Sequence, residues 1–162
     1  MDGAELEQFV PELLEARYPG QARMVGEVDI PELPSLGGWM LEFEGCILTV
    51  RASKTSHPFV WIKGGIAHAI PRSEALALRV AAANKDLSVG RLCLAWGDDI
   101  AMVAFDETAF GLALSLDHQP SVEDIVNRFE ASVGYTQEWA QKIQEEFGGR
   151  PFTADDWHLL AL

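Results

Sequence analysis

Residues 73–105 read SEALALRVAAANKDLSVGRLCLAWGDDIAMVAF, and the change of period inside this stretch decides the fold. Leu76, Val80, Ala83 and Leu87 recur at steps of three and four, which predicts a helix from Ser73, its N-cap, to about Asp86. Ala75, Ala77, Ala81 and Ala82 keep the rest of that helix slim, so it can approach another backbone closely, in this chain or in a second copy. Gly90 stops it. Arg91–Trp96 and Ile100–Phe105 then read as two strands joined across the turn Gly97-Asp98-Asp99.

Working outward, residues 24–70 carry a strand-like period. Met24–Ile30 is partly alternating and predicts a frayed first strand, followed by a loop through Pro31, Pro34 and Gly37-Gly38. Trp39–Phe43 and Cys46–Arg51 predict a hairpin across Glu44-Gly45. Phe59–Lys63 and Ile66–Ile70 flank Gly64-Gly65, which is either a tight hairpin turn or a bulge. Phe110–Leu116 reads as one more strand.

Both ends read as helix. Leu6, Phe9, Val10, Leu13 and Leu14 make one apolar stripe, interrupted by Pro11, where the helix either kinks or begins its stable part. Ser121 before Val122-Glu123-Asp124 is a capping signature. Val122, Val126, Phe129, Val133, Thr136, Ala140, Ile143 and Phe147 then predict a long amphipathic helix, with Gly134 marking a kink or a close contact. Residues 1–147 form a single α+β domain, and 148–162 a C-terminal tail in which Thr153 and Asp156 cap a short helix carrying Trp157, Leu159 and Leu160.

The chain has 162 residues, 48% of them hydrophobic and 23% charged, which is globular composition. A domain of this size buries roughly two-thirds of its unfolded surface and needs no disulfide or metal staple. No apolar run approaches the ~18 residues of a membrane span. Met1–Glu5 is acidic where a secretory leader would be basic. With Cys46 and Cys93 as its two cysteines, outside any C-x-x-C pattern, the expectation is a cytoplasmic protein with reduced thiols.

Net charge is −13, unevenly spread. Residues 1–45 hold ten acids and two bases, 46–116 six acids and seven bases, and 117–147 seven acids and two bases. Such a field repels nucleic-acid backbones and anionic membranes and favours basic or amphipathic protein partners. There is no phosphate-cradling glycine loop and no nucleophile elbow. His57, His68, His118 and His158 are scattered singly, so no metal site or cofactor is expected. Cys93, on an apolar strand, is expected to be a buried structural thiol. Asp98-Asp99 reads as a solvated turn and Asp155-Asp156 as a helix start.

The helix ending in Asn84, the glycine-led strand Val89-Gly90-Arg91-Leu92-Cys93-Leu94, the turn Gly97-Asp98-Asp99 and the strand after it resemble the YbjN-type family, within the type III secretion chaperone-like superfamily. The match is best over residues 73–147. The resemblance implies an antiparallel sheet flanked by an N-terminal helix, a middle helix and a long C-terminal helix. It also implies a non-enzymatic module that binds a protein or peptide client, and a homodimer in which the helix of Ala77, Ala81 and Ala82 contributes to the contact.

Trp39 and Trp61, on predicted strands, and Trp139, at the edge of the last helix's stripe, either pack in the core or border a groove that buries a client's apolar side chains, with Glu123, Asp124, Glu130 and Glu138 to steer it. The alternatives are an acidic immunity-type inhibitor of a basic toxin or enzyme, and a small-ligand binder whose site is assembled from distant residues.

Overall fold

The structure, a computed structural model, describes residues 3–30, 33–52, 60–109 and 121–161. Phe59, the predicted strand Phe110–Leu116, His57 and His118 lie outside the described residues. Within them the fold is α+β: a six-stranded antiparallel sheet with three α-helices. The strands are β1 (Arg23–Ile30), β2 (Leu33–Phe43), β3 (Cys46–Ala52), β4 (Val60–Pro71), β5 (Arg91–Trp96) and β6 (Ile100–Ala109). Their order across the sheet is β1-β2-β3-β4-β6-β5. The helices are α1 (Gly3–Arg17), α2 (Glu74–Ala83) and α3 (Val122–Phe147), and a 3₁₀ helix spans Ala154–Ala161.

The capping signals operate as expected. Ser73 Oγ accepts the Leu76 N–H at 3.2 Å, and Ser121 and Asp124 form a reciprocal capping box. Helix α1 runs unbroken through Pro11. The residue four before the proline is Glu7, which is exposed, so water can reach the carbonyl that Pro11 cannot bond.

Two strands depart from expectation. β2 begins at Leu33 and passes through Pro34 and Gly37-Gly38 rather than following a loop. Its pairing with β3 starts only at Gly38, so among the described strands β1 alone lies alongside Pro34, where a missing N–H is tolerated. The second departure is at Gly64-Gly65, which makes no hairpin: β4 is one strand, in unbroken register with β3 through both glycines. Irregularities follow on the β6 side, between Gly65 and Ala67 and again before Ile70. His68 there turns its backbone to Arg150, donating to its carbonyl at 3.0 Å and accepting its N–H at 2.7 Å.

The two glycines hold the layers together. A Cβ on Gly64 would stand 2.1 Å from Thr136 Oγ1 on α3, and a Cβ on Gly65 would stand 2.4 Å from Phe152 Cγ. These neighbours lie on opposite faces, because successive strand residues alternate. One face packs all three α-helices: Leu6, Val10 and Leu14 of α1 with Leu48 and Ile62, and Leu76 and Val80 of α2 with Phe105. α3 joins both groups through Ile125, Phe129, Ala140 and Ile143. On the other face Phe152 and Leu160 pack with Val25, Met40, Ile47 and Ala104. Full burial of side chains like these is worth about 1.5–3 kcal/mol each, enough to hold the tail to the sheet.

The inner stripe of α3 is wider than expected. Phe129, Val133, Thr136, Ala140 and Ile143 are buried as expected, Ile125, Ser132 and Trp139 are buried with them, and Val122 is exposed. Gly134 is exposed with nothing within 4 Å of its would-be Cβ, so it makes no close contact.

The two kinds of glycine predict opposite outcomes in chemical denaturation. Gly134→Ala is expected to stabilise the protein by up to about 1 kcal/mol through helix propensity. Gly64→Ala is expected to cost at least about 1–3 kcal/mol by overpacking, and Thr136→Ala in the same chain to recover part of that loss. No recovery in the double variant would show that Thr136 is not the obstacle.

Candidate functional site

The three tryptophans expected on one partner surface lie apart. Trp39 is half-buried against the α1 layer. Trp61 points to the opposite face, where its indole N–H donates to Asp106 Oδ1 at 2.6 Å. Trp139 is 6% exposed in the core, with the Arg79 guanidinium and the Lys142 ammonium each 4.9 Å from its ring centre. Its position three after Thr136 and four before Ile143 puts it on the row that faces the sheet.

The four acids are exposed on α3, though most already have partners. Asp124 closes the capping box, Glu130 pairs with Arg17 at 2.9 Å, and Glu138 pairs with Lys142. On α2, Ala81 and Ala82 are exposed and Ala77 is half-buried. Leu78, which sequence reasoning passed over, is 64% exposed on the same helix.

Strand β5 lies at one edge of the sheet, bonded to β6 alone among the described strands. Leu92 N–H donates to Asn84 Oδ1 at 2.6 Å, and Asn84 Nδ2 donates to the Leu92 carbonyl at 3.0 Å. The Asn84 amide therefore substitutes for a neighbouring strand at that residue. Because antiparallel pairs alternate, Leu94 and Trp96 also turn their N–H and C=O groups outward. Among the described residues nothing bonds them there. Trp96 is 42% exposed and Ile100, across the turn, 52%. Beside them Arg72, Glu74, Asp98 and Asp99 line an open cleft of about 560 Å³. The stretch thus offers unpaired backbone, apolar side chains and carboxylates within one corner of the molecule.

The face opposite the helices carries a second cluster. Arg91 Nη2 pairs with Asp106 Oδ2 at 3.3 Å, and Lys63 Nζ sits 4.3 Å from the Trp61 ring centre. A cavity of about 200 Å³ opens between this cluster and the 3₁₀ helix, lined by Lys63, Cys93, Met102, Asp106 and Leu160 among others. Cys93 is half-buried there rather than buried, because its strand face is covered by the tail and not by a helix. Its register partner on β6 is Ala104, on the tail side, whereas Cys46 packs with the helix-side core. The sheet separates the two thiols. Burial pushes the Cys46 thiol up to about 11.

The acid Asp156 secures the tail near this cluster. Burial raises its pKa, but hydrogen bonds from the Thr153 N–H and hydroxyl, with His68 and His158 nearby, hold it below the usual carboxylate value. Among the described residues no group of three or more His, Cys, Asp and Glu side chains is placed to hold a metal ion. No helix among them is long and apolar enough to cross a membrane.

A thiol-reagent titration of the native protein is expected to modify Cys93 and to spare Cys46 until unfolding. Loss of the native signal in Cys93→Ala, with none lost in Cys46→Ala, checks the assignment.

A scan against protein-family models finds no match to this chain, and a search of curated proteins finds none.

Proposed function

We propose that this chain is a non-enzymatic, cytoplasmic, chaperone-like module that takes an extended segment of a protein partner onto the edge of β5. The observation that carries the reading is the outward-facing backbone of Leu94 and Trp96, unbonded among the described residues, beside exposed Trp96 and Ile100. An added strand gains main-chain hydrogen bonds there, and alternate apolar side chains of the partner gain a surface to bury against. Glu74, Asp98 and Asp99 favour a partner with a basic residue at the turn end, and the net charge of −13 speeds its approach. Asn84 closes the Leu92 end and so sets where the segment stops. The resemblance of residues 73–147 to the YbjN-type, secretion chaperone-like proteins supports the same reading.

Leu94→Pro tests it, because proline removes the outward N–H and leaves the hydrogen bonds between β5 and β6 in place. With photocrosslinking at Trp96 used to capture and identify the partner, Leu94→Pro is expected to weaken its binding at least about tenfold, roughly 1.4 kcal/mol, and to shift Tm little. Unchanged affinity, or crosslinks equally strong from an exposed site on α1, would sink the strand-edge reading. The charge of −13 favours a second reading, an acidic inhibitor of a basic protein, whose binding would be lost at high salt while the apolar edge contact survives it.

The homodimer belongs to the same proposal. Its contact would use Leu78, Ala81 and Ala82 more than half-buried Ala77. Sedimentation equilibrium is expected to give a dimer for the parent chain and a monomer for Leu78→Arg; a monomeric parent chain rejects it.

A further inference from the structure

The sheet face opposite the helices contains a buried cation, one nitrogen of which has no hydrogen-bond acceptor among the described residues. Arg51 on β3 stands between Gly38 of β2 and Trp61 of β4, and it is only 4% exposed. A Cβ on Gly38 would lie 3.5 Å from Arg51 Cγ and 3.6 Å from its Nε, so the stem of the side chain runs flat across that glycine. Its Nη2 is shut off from water, and among the described residues nothing accepts a hydrogen bond from it. Burial draws its pKa down. A guanidinium nonetheless keeps its proton at any ordinary pH, so it cannot escape the penalty by becoming neutral. A buried charge without partners is among the most costly features a fold can carry.

Lys63 and Arg91 bring more positive charge to the same face, and Asp106 opposes it. Lys63 lies on the same face, and Arg51 is near enough to oppose its charge. Burial also lowers the Lys63 pKa, against which Asp106 and Cys93 act in the other direction. Asp106 is shared with the Trp61 indole and Arg91. Among the described residues, Arg51, Lys63 and Arg91 against Asp106 make a cationic island in a chain whose net charge is −13. In so acidic a protein, an island of this sign at a buried guanidinium with an unbonded Nη2 has the chemistry of an anion receptor.

We infer that Arg51 is the principal ligand of a binding site for a small oxyanion, carboxylate or phosphate, with Lys63 as the second charge. The planar fork of the guanidinium matches either group through parallel N–H donors. The site is separate from the β5 edge and does not depend on the strand-edge reading, since Arg51 faces away from the helix side on a different strand.

The test is thermal unfolding at constant ionic strength, with chloride exchanged for inorganic phosphate in one arm and for acetate in the other. The parent chain is expected to gain Tm saturably with at least one oxyanion, by roughly 5–10 °C at a hundredfold excess over Kd. Arg51→Met is expected to lose that response, and Lys63→Met to need several times more ligand. A response to phosphate alone assigns a tetrahedral ligand, and one to acetate alone a carboxylate. A parent chain indifferent to both, or Arg51→Met responding like the parent, overturns the inference. Should Arg51→Met fail to fold, calorimetric titration of the responding oxyanion into the parent chain and Arg51→Lys decides instead. About tenfold weaker binding by the lysine variant supports the guanidinium fork, and equal affinity or no heat with either protein rejects it.

Discussion

Gly64 and Gly65 stand side by side in β4, and the space a side chain would need is already occupied on both sides. Thr136 of α3 fills it at Gly64 and the Phe152 ring fills it at Gly65. The missing side chains let a helix and the C-terminal tail clamp the same two residues from opposite faces. β4 also has the inner position between β3 and β6, so the clamp falls where the two halves of the sheet meet. The Thr136 hydroxyl is buried without a hydrogen-bond partner among the described residues, a cost that goes with that close approach.

The clamp determines what the rest of the surface can do. With α3 seated on β4, α1 and α2 take the space on either side of it, and the helix face is closed over by apolar packing. The tail, seated through Phe152 and Leu160, covers only part of the other face. The rest of that face holds Trp61, Lys63, Arg91 and Asp106, with Arg51 buried beside Trp61, and the cavity under the 3₁₀ helix adjoins it. The two proposed sites therefore divide between an edge and a face. The β5 edge offers hydrogen bonds and apolar surface to a strand, and the tail-side face offers positive charge to an anion.

Asn84 connects the two scales of description. In the chain it is the residue that ends α2. In the fold its amide bonds both backbone groups of Leu92 and so caps part of an open sheet edge. Native sheets protect edges by such devices, and the protection here stops short of Leu94. Among the described residues the edge is guarded at one residue and open two residues later, a defined end that would position an added segment in register.

The local elements were legible in the sequence because their causes are local. Ser73 and Ser121 cap the helices they precede, the 3.6-residue period marks α1, α2 and α3, and turn residues mark the hairpins 39–51 and 91–105. Tertiary structure decided everything that depends on which strands become neighbours. The glycine pair reads locally as a turn or a bulge, and only the approach of Thr136 and Phe152 makes it the middle of a strand. Trp139 sits one position from a residue of the expected stripe, and the wider face that α3 buries put it in the core. Arg51 reads as an ordinary strand residue until β2 and β4 flank it and remove its water. Periodicity records which way a side chain points within its own element, but partner, depth and edge come from contacts far apart in the chain, which a local pattern does not encode.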